Sequence, residues 1–253
     1  MNAMARILVT LLLLVGLTAT PLFGQVDLST YEQLLVLLPL TEPDRALAAL
    51  ETGLSQPGFP ATQVKSLIEL LIATPGPNES KNEILFLLVR TIESGYSVTD
   101  LLPAEQMLTE AMAEGLPIDG IVLEALKGIA QRRSAIVIEQ GIDHRLSLLR
   151  GVRDLLFQKS LFSTPEGQSS SAAGALPESR FNALLTNVAD TISDFLEGGG
   201  SPFDSTVLYA QVEDRLTKLS QGASPSIPAS DVDLVLERIG PDDLKRVALE
   251  AVS

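Results

Sequence analysis

Ser80-Lys-Asn-Glu83-Ile-Leu-Phe-Leu-Leu-Val-Arg-Thr-Ile-Glu-Ser-Gly95-Tyr-Ser-Val98 is the stretch that decides the fold class of this chain. Ser80 and Glu83 have the spacing of a capping box, in which a hydroxyl and a carboxylate satisfy two of the free N–H groups at a helix start. An apolar run follows at once, and Gly95 closes it. Glycine adopts the left-handed conformation that ends a helix, Tyr96 can pack back on the helix just ended, and Ser97 opens the next one.

The same punctuation recurs on both sides. Gly58-Phe-Pro-Ala61 and Gly115-Leu-Pro-Ile118 each lie between two helical patterns, with proline in the starting position. Upstream, Ser29 is expected to cap a first helix, and Thr41-Glu-Pro-Asp44 supplies a hydroxyl, an early proline and a first-turn carboxylate for a second. Helix starts inferred near Glu42, Lys81 and Ile118 are spaced by about 37–39 residues, the period of stacked helical hairpins. The glycine intervals are 37 and 20, however, so Gly115 also fits a joint inside one hairpin. The expected class is therefore all-α, with helical hairpins in an irregular bundle or a short α-solenoid.

Beyond Ile121 the helical pattern continues to Phe162, with Gly141 as an expected break and Leu146, Leu149, Val152 and Leu156 on one face. Ser163 to Pro177 is rich in Ser, Gly and Pro and lacks apolar periodicity, the composition of a flexible linker. Phe181, Leu184, Leu185, Val188, Ile192 and Phe195 then mark a helix that Gly198-Gly-Gly200 stops. Ser205–Leu219, Ser230–Ile239 and Pro241–Val252 read as three more helices, with a loop over Ser220–Pro228. The expected division is a signal peptide over 1–24, a helical repeat or bundle domain over 25–162, a linker over 163–177 and a smaller helical domain over 178–253.

Residues 1–24 have the form of an export signal. Arg6 is the positive start, Ile7 to Leu17 the apolar run, and Thr18 to Gly24 a small-residue exit, with cleavage expected after Gly24 or after Ala19. The apolar run falls short of the roughly 20 residues of a membrane span, so no integral span is expected after cleavage. The 253-residue chain contains no Cys, which excludes disulfides, thiolate metal sites and a lipidated cysteine. Stability in an oxidising compartment must then come from packing. Without the leader, 17 Lys and Arg stand against 32 Asp and Glu, a net charge of −15, a poor surface for nucleic acid or anionic lipid.

One segment departs from that balance. Residues 127–159 hold seven Lys and Arg against three acids, and five of the seven are Arg. Arg132, Arg133, Arg145, Arg150 and Arg153 form a candidate basic face for an acidic protein or an anionic envelope polymer, since arginine favours bidentate carboxylate contacts. The competing reading is internal neutralisation of an acidic protein by ion pairs.

Catalytic chemistry is sparse. His144 is the single histidine, which excludes multi-histidine metal sites; Asp143 and Ser147 are partner types beside it, but neighbours on one helix do not enclose a substrate. Gly198-Gly-Gly200 lacks the Lys-Ser/Thr of a phosphate loop, and Asp231-Val-Asp233 and Asp242-Asp243 lack a calcium-loop pattern. Paired carboxylates could hydrolyse glycosides, but a Trp-free chain with three Tyr has few aromatic sugar platforms. No cofactor or metal is expected.

Glu114-Gly-Leu-Pro-Ile-Asp-Gly-Ile-Val-Leu-Glu-Ala-Leu-Lys-Gly-Ile-Ala-Gln131 resembles segments of uncharacterised exported helical proteins of bacteria, in which Gly-Leu-Pro, an apolar helix and a Lys-Gly pair recur. The resemblance covers about residues 95–155 and implies an envelope-associated helical protein, with no catalytic residue to carry over. The function expected is that of a non-enzymatic interaction or scaffold module, exported to the periplasm or outer envelope; the alternative is a small envelope hydrolase using paired carboxylates.

Overall fold

The computed structural model describes residues 27–38, 40–159, 161, 176–221 and 227–252. Among them are eleven helices and no strand: α1 (Leu28–Leu35), α2 (Pro43–Leu54), α3 (Ala61–Ala73), α4 (Asn78–Glu93), α5 (Val98–Ala113), α6 (Asp119–Ala130), α7 (Ala135–Gln158), α8 (Glu178–Glu197), α9 (Ser205–Gln221), α10 (Ala229–Arg238) and α11 (Pro241–Ala251). The protein is all-α. The expected export signal lies outside the described residues, as does the expected linker apart from Leu176 and Pro177.

Helices α1 to α7 are stacked in two layers. In one, α2 packs on α4 and α4 on α6; in the other, α1 packs on α3, α3 on α5 and α5 on α7. The pairs α4–α5 and α6–α7 join the layers as antiparallel hairpins. Gly58, Gly95 and Gly115 have φ of 81°, 72° and 75°, the left-handed turn that their repeated setting predicts. The period appears as physical contact. Tyr96 donates its hydroxyl to the Arg133 carbonyl 37 residues on, Arg132 reaches the Ser94 carbonyl across 38, and Ser80 donates to Asp119 across 39.

The Ser80 contact corrects the capping-box reading. Pro77, not Ser80, is the residue before α4, so the helix starts three residues earlier than the box implies and the Ser80 hydroxyl is spent on Asp119, 3.1 Å away. Likewise Asp27 caps α1, accepting from the Thr30 N–H at 3.0 Å and from Ser29, while Glu42, with no side-chain cap bond, precedes α2. Gly141 is no break: α7 runs through it for 24 residues, because Ile138, Ile142, Leu146 and Leu149 keep one buried stripe in register.

The C-terminal helices close on α7. Helices α8 and α11 both pack against it, α9 lies on α8 and α11, and α10 lies on α9. Val247 comes so near Gly151 that an added Cβ would sit 3.1 Å from it, so the helices meet almost backbone to side chain. Phe157 stacks on Phe181 with ring centroids 5.5 Å apart. Lys159 pairs with Asp243 at 2.6 Å, and Arg238 donates to the Lys159 carbonyl at 3.0 Å. The buried residues before and after the 163–177 stretch belong to one continuous apolar cluster. Burial of that cluster is the chief stabilising force, at about 25 cal/mol per Å² of apolar surface removed from water.

Candidate binding groove

The candidate site is built where the stack meets the C-terminal helices. Helices α6 and α7 diverge from their connecting turn, and the gap between them is a cleft of about 410 Å³. Its floor is Ile121, Ala125, Gly128, Ile138, Gly141 and Ile142; its rim carries Glu124, Lys127, Arg133, His144, Arg145 and Glu197. Gly128 lets Ile138 of the facing helix approach to within 3.0 Å of where a Cβ would stand, while Gly141 is exposed with open space beside it. A second cleft of about 400 Å³ shares Ile121, Glu124 and Arg145 with the first and continues over α8 and α9 past Asp190, Asp194 and Arg215.

A charged bridge separates the two. Arg145 donates to Asp190 at 2.7 Å and to Glu124 at 2.9 Å. Arg215 donates to Asp194 at 2.9 Å, to Asn187 at 3.3 Å and to Asp190 at 3.5 Å. Burial pushes the Asp190 carboxyl up, and this outweighs the downward pull of the Arg145 and Arg215 charges. The bridge ties α6, α7, α8 and α9 together across an otherwise open surface.

The five arginines expected to form one basic face are not on one face. Arg145 is 15% exposed at its side chain and is the centre of the bridge. Arg150 and Arg153 both bind Glu114, at 2.8 and 3.1 Å, on the α5 side of α7. Their hydrogen bonds and charge, Arg150's first, hold the Glu114 carboxyl below its ordinary value. Arg132, in a left-handed conformation with φ of 58°, donates to the Ser94 carbonyl at the end of α4. Arg133 is exposed on the groove rim, its Nε donating to Gln131 at 3.0 Å. A linear run of charge on a helix is thus dealt to three different neighbours, as the 100° turn per residue dictates.

Among the described residues neither Lys127 nor Arg133 has a carboxylate partner, and both are exposed. His144, half-buried in the cleft wall, bonds through Nδ1 to the Ala251 carbonyl at 3.2 Å and so anchors the end of α11 rather than engaging Asp143 or Ser147. No group of three or more metal-ligating side chains converges among the described residues, and no described helix is long and apolar enough to cross a membrane.

The parts that sequence reasoning missed are Glu124, Lys127, Asp190, Asp194 and Arg215. Lys127 was countable as part of the basic segment; the acids carry no local signal, because each gains its role from a helix 21 to 45 residues away.

Comparison with protein-family models, with curated proteins and with solved structures gives no match. The functional reading therefore rests on the groove itself.

Proposed function

We propose that this chain is a non-enzymatic interaction or scaffold protein of the bacterial periplasm or outer envelope, and that the α6–α7 groove docks an acidic stretch of a partner protein. The observation that carries the reading is the pair Lys127 and Arg133. In a protein with an excess of acids, two exposed cations without acidic partners among the described residues stand on the rim of the α6–α7 cleft, above an apolar floor. Apolar floor and charged rim together suit a peptide that buries one side chain and presents carboxylates beside it.

Export is supported by Arg6 and the apolar run Ile7 to Leu17. Binding is favoured over carboxylate hydrolysis because the acids of the second cleft, Glu124, Asp190 and Asp194, are engaged by Arg145 and Arg215. A general acid has to be free to meet its substrate.

The test is affinity capture from a bacterial envelope extract with three forms of the protein: wild type, Lys127→Glu/Arg133→Glu, and Lys218→Glu as a surface control on α9. The expected result is a partner captured by wild type and control but lost from the double variant, with capture falling steeply as salt is raised. A partner retained equally by all three forms contradicts the groove as its docking site.

A further inference from the structure

Among the described residues, Glu105 is a core group that packing alone does not explain. Glu105 lies on α5 in the same buried stripe as Leu101, Leu102, Leu108 and Met112, it is 0% exposed, and neither carboxyl oxygen has a hydrogen-bond partner. Beyond the helical backbone bonds, the Thr109 hydroxyl donates to the Glu105 backbone carbonyl at 2.9 Å, which leaves the carboxyl untouched. An unpaired carboxylate in such a place is far costlier than a neutral carboxylic acid.

The charges on every helix around it are spent elsewhere. On α3, Lys65 and Glu69 pair with each other at 2.8 Å. On α4, Arg90 and Glu93 join Arg45, Lys81 reaches the Ile72 carbonyl, and Glu83 lies by Asp119 and Glu79. On α7, Arg145 holds Asp190, Arg150 and Arg153 hold Glu114, Asp154 lies by Arg153, and His144 holds Ala251; Glu139 and Asp143 complete that helix's charges. On α5 itself, Asp100 and Glu110 are exposed. None of these groups influences Glu105, which burial alone lifts well above the ordinary carboxylate range.

We propose that Glu105 is a proton-operated latch on the helix stack: as a neutral acid it lets α5 seat between α3, α4 and α7, and on losing its proton it drives α5 out. The geometry gives the movement a direction of transmission. Glu114 directly follows α5 and binds Arg150 and Arg153, so displacement of α5 also frees the outer side of α7, the helix whose other side forms the docking groove. The latch stands independently of what the groove binds.

The test is native-state hydrogen exchange of the α5 amides between pH 5 and 9, corrected for intrinsic exchange, in wild type and Glu105→Gln, together with a ¹³C carboxyl titration of wild type. The expected result is a Glu105 resonance that stays in its protonated position at neutral pH. Between about 4.5, where an exposed glutamate titrates, and Glu105's own titration point, the wild-type opening constant of α5 should rise about tenfold per pH unit, since one proton is released on opening, while Glu105→Gln stays flat. A Glu105 carboxyl that titrates in the ordinary range, or wild-type α5 opening that does not change with pH, overturns the proposal. Both of these readouts come from wild type, so a Gln variant that fails to fold leaves the test intact.

Discussion

Arg145 on α7 donates to Asp190 on α8 at 2.7 Å, across 45 residues of sequence, and this contact joins the stacked hairpins to the C-terminal helices. The guanidinium is 15% exposed and the carboxylate 34% exposed, so water screens the pair only in part. Arg145→Ala leaves Asp190 with Arg215 alone, at 3.5 Å. The expected loss is about 1–2 kcal/mol, from charge-assisted bonds discounted for exposure. Urea unfolding of wild type and variant measures it. Arg145→Lys should lose less than the alanine variant, because it keeps the charge but not the fork that reaches Glu124 and Asp190 together.

Two glycines should respond in opposite directions. Gly95 has a φ of 72° with open space around it, so Gly95→Ala carries a purely conformational cost of about 1–2 kcal/mol. Gly141 lies inside α7 with no atom near a new Cβ, so Gly141→Ala should stabilise by about 0.5–1 kcal/mol. Thermal melting of the two variants beside wild type checks both signs at once.

Replacing the buried acid should make the protein more stable. In the folded state Glu105 holds its proton well above 4.5, the ordinary value that an unfolded chain would show. Between those two points the folded form binds more protons, so stability is full below about pH 4.5 and falls as pH rises towards the folded value. Glu105→Leu removes that slope. At pH 7 the variant should exceed wild type by about 1–3 kcal/mol, the cost of a buried unpaired polar group, with a smaller difference at pH 4. Urea midpoints at the two pH values decide the matter.

Sequence and structure agree where the signal is local. Gly58, Gly95 and Gly115 were legible because a left-handed backbone selects glycine whatever surrounds it. Gly141 was misleading for the converse reason: a glycine is tolerated within a helix when its neighbours Ile138 and Ile142 are buried. Ser80 showed the limit of a cap motif, since Pro77 and Asn78 begin the helix first and Asp119, unseen from local sequence, claims the hydroxyl. The excess of arginine in 127–159 was countable, but its distribution among Ser94, Glu114, Glu124 and Asp190 depends on the layering of helices. Glu105 did leave a trace: an acid at the centre of the series Leu101, Leu102, Leu108 and Met112 breaks the apolar stripe.

Export is open to a direct check. Residues 1–24 fused to alkaline phosphatase should give enzyme activity in the bacterial periplasm, and Arg6→Glu should reduce it by disturbing the positive start of the leader. The mature amino terminus, read by peptide sequencing, is expected after Ala19 or Gly24. Activity confined to the cytoplasm would contradict export.

The most direct measurement of the central claim is site-specific photocrosslinking in living bacteria from Gln131, on the groove wall, with Asp44 at the start of α2 as the control position. The account predicts one distinct protein joined to position 131, absent from position 44 and lost when Lys127 and Arg133 are reversed to Glu. The same products from both positions, insensitive to that charge reversal, would contradict it.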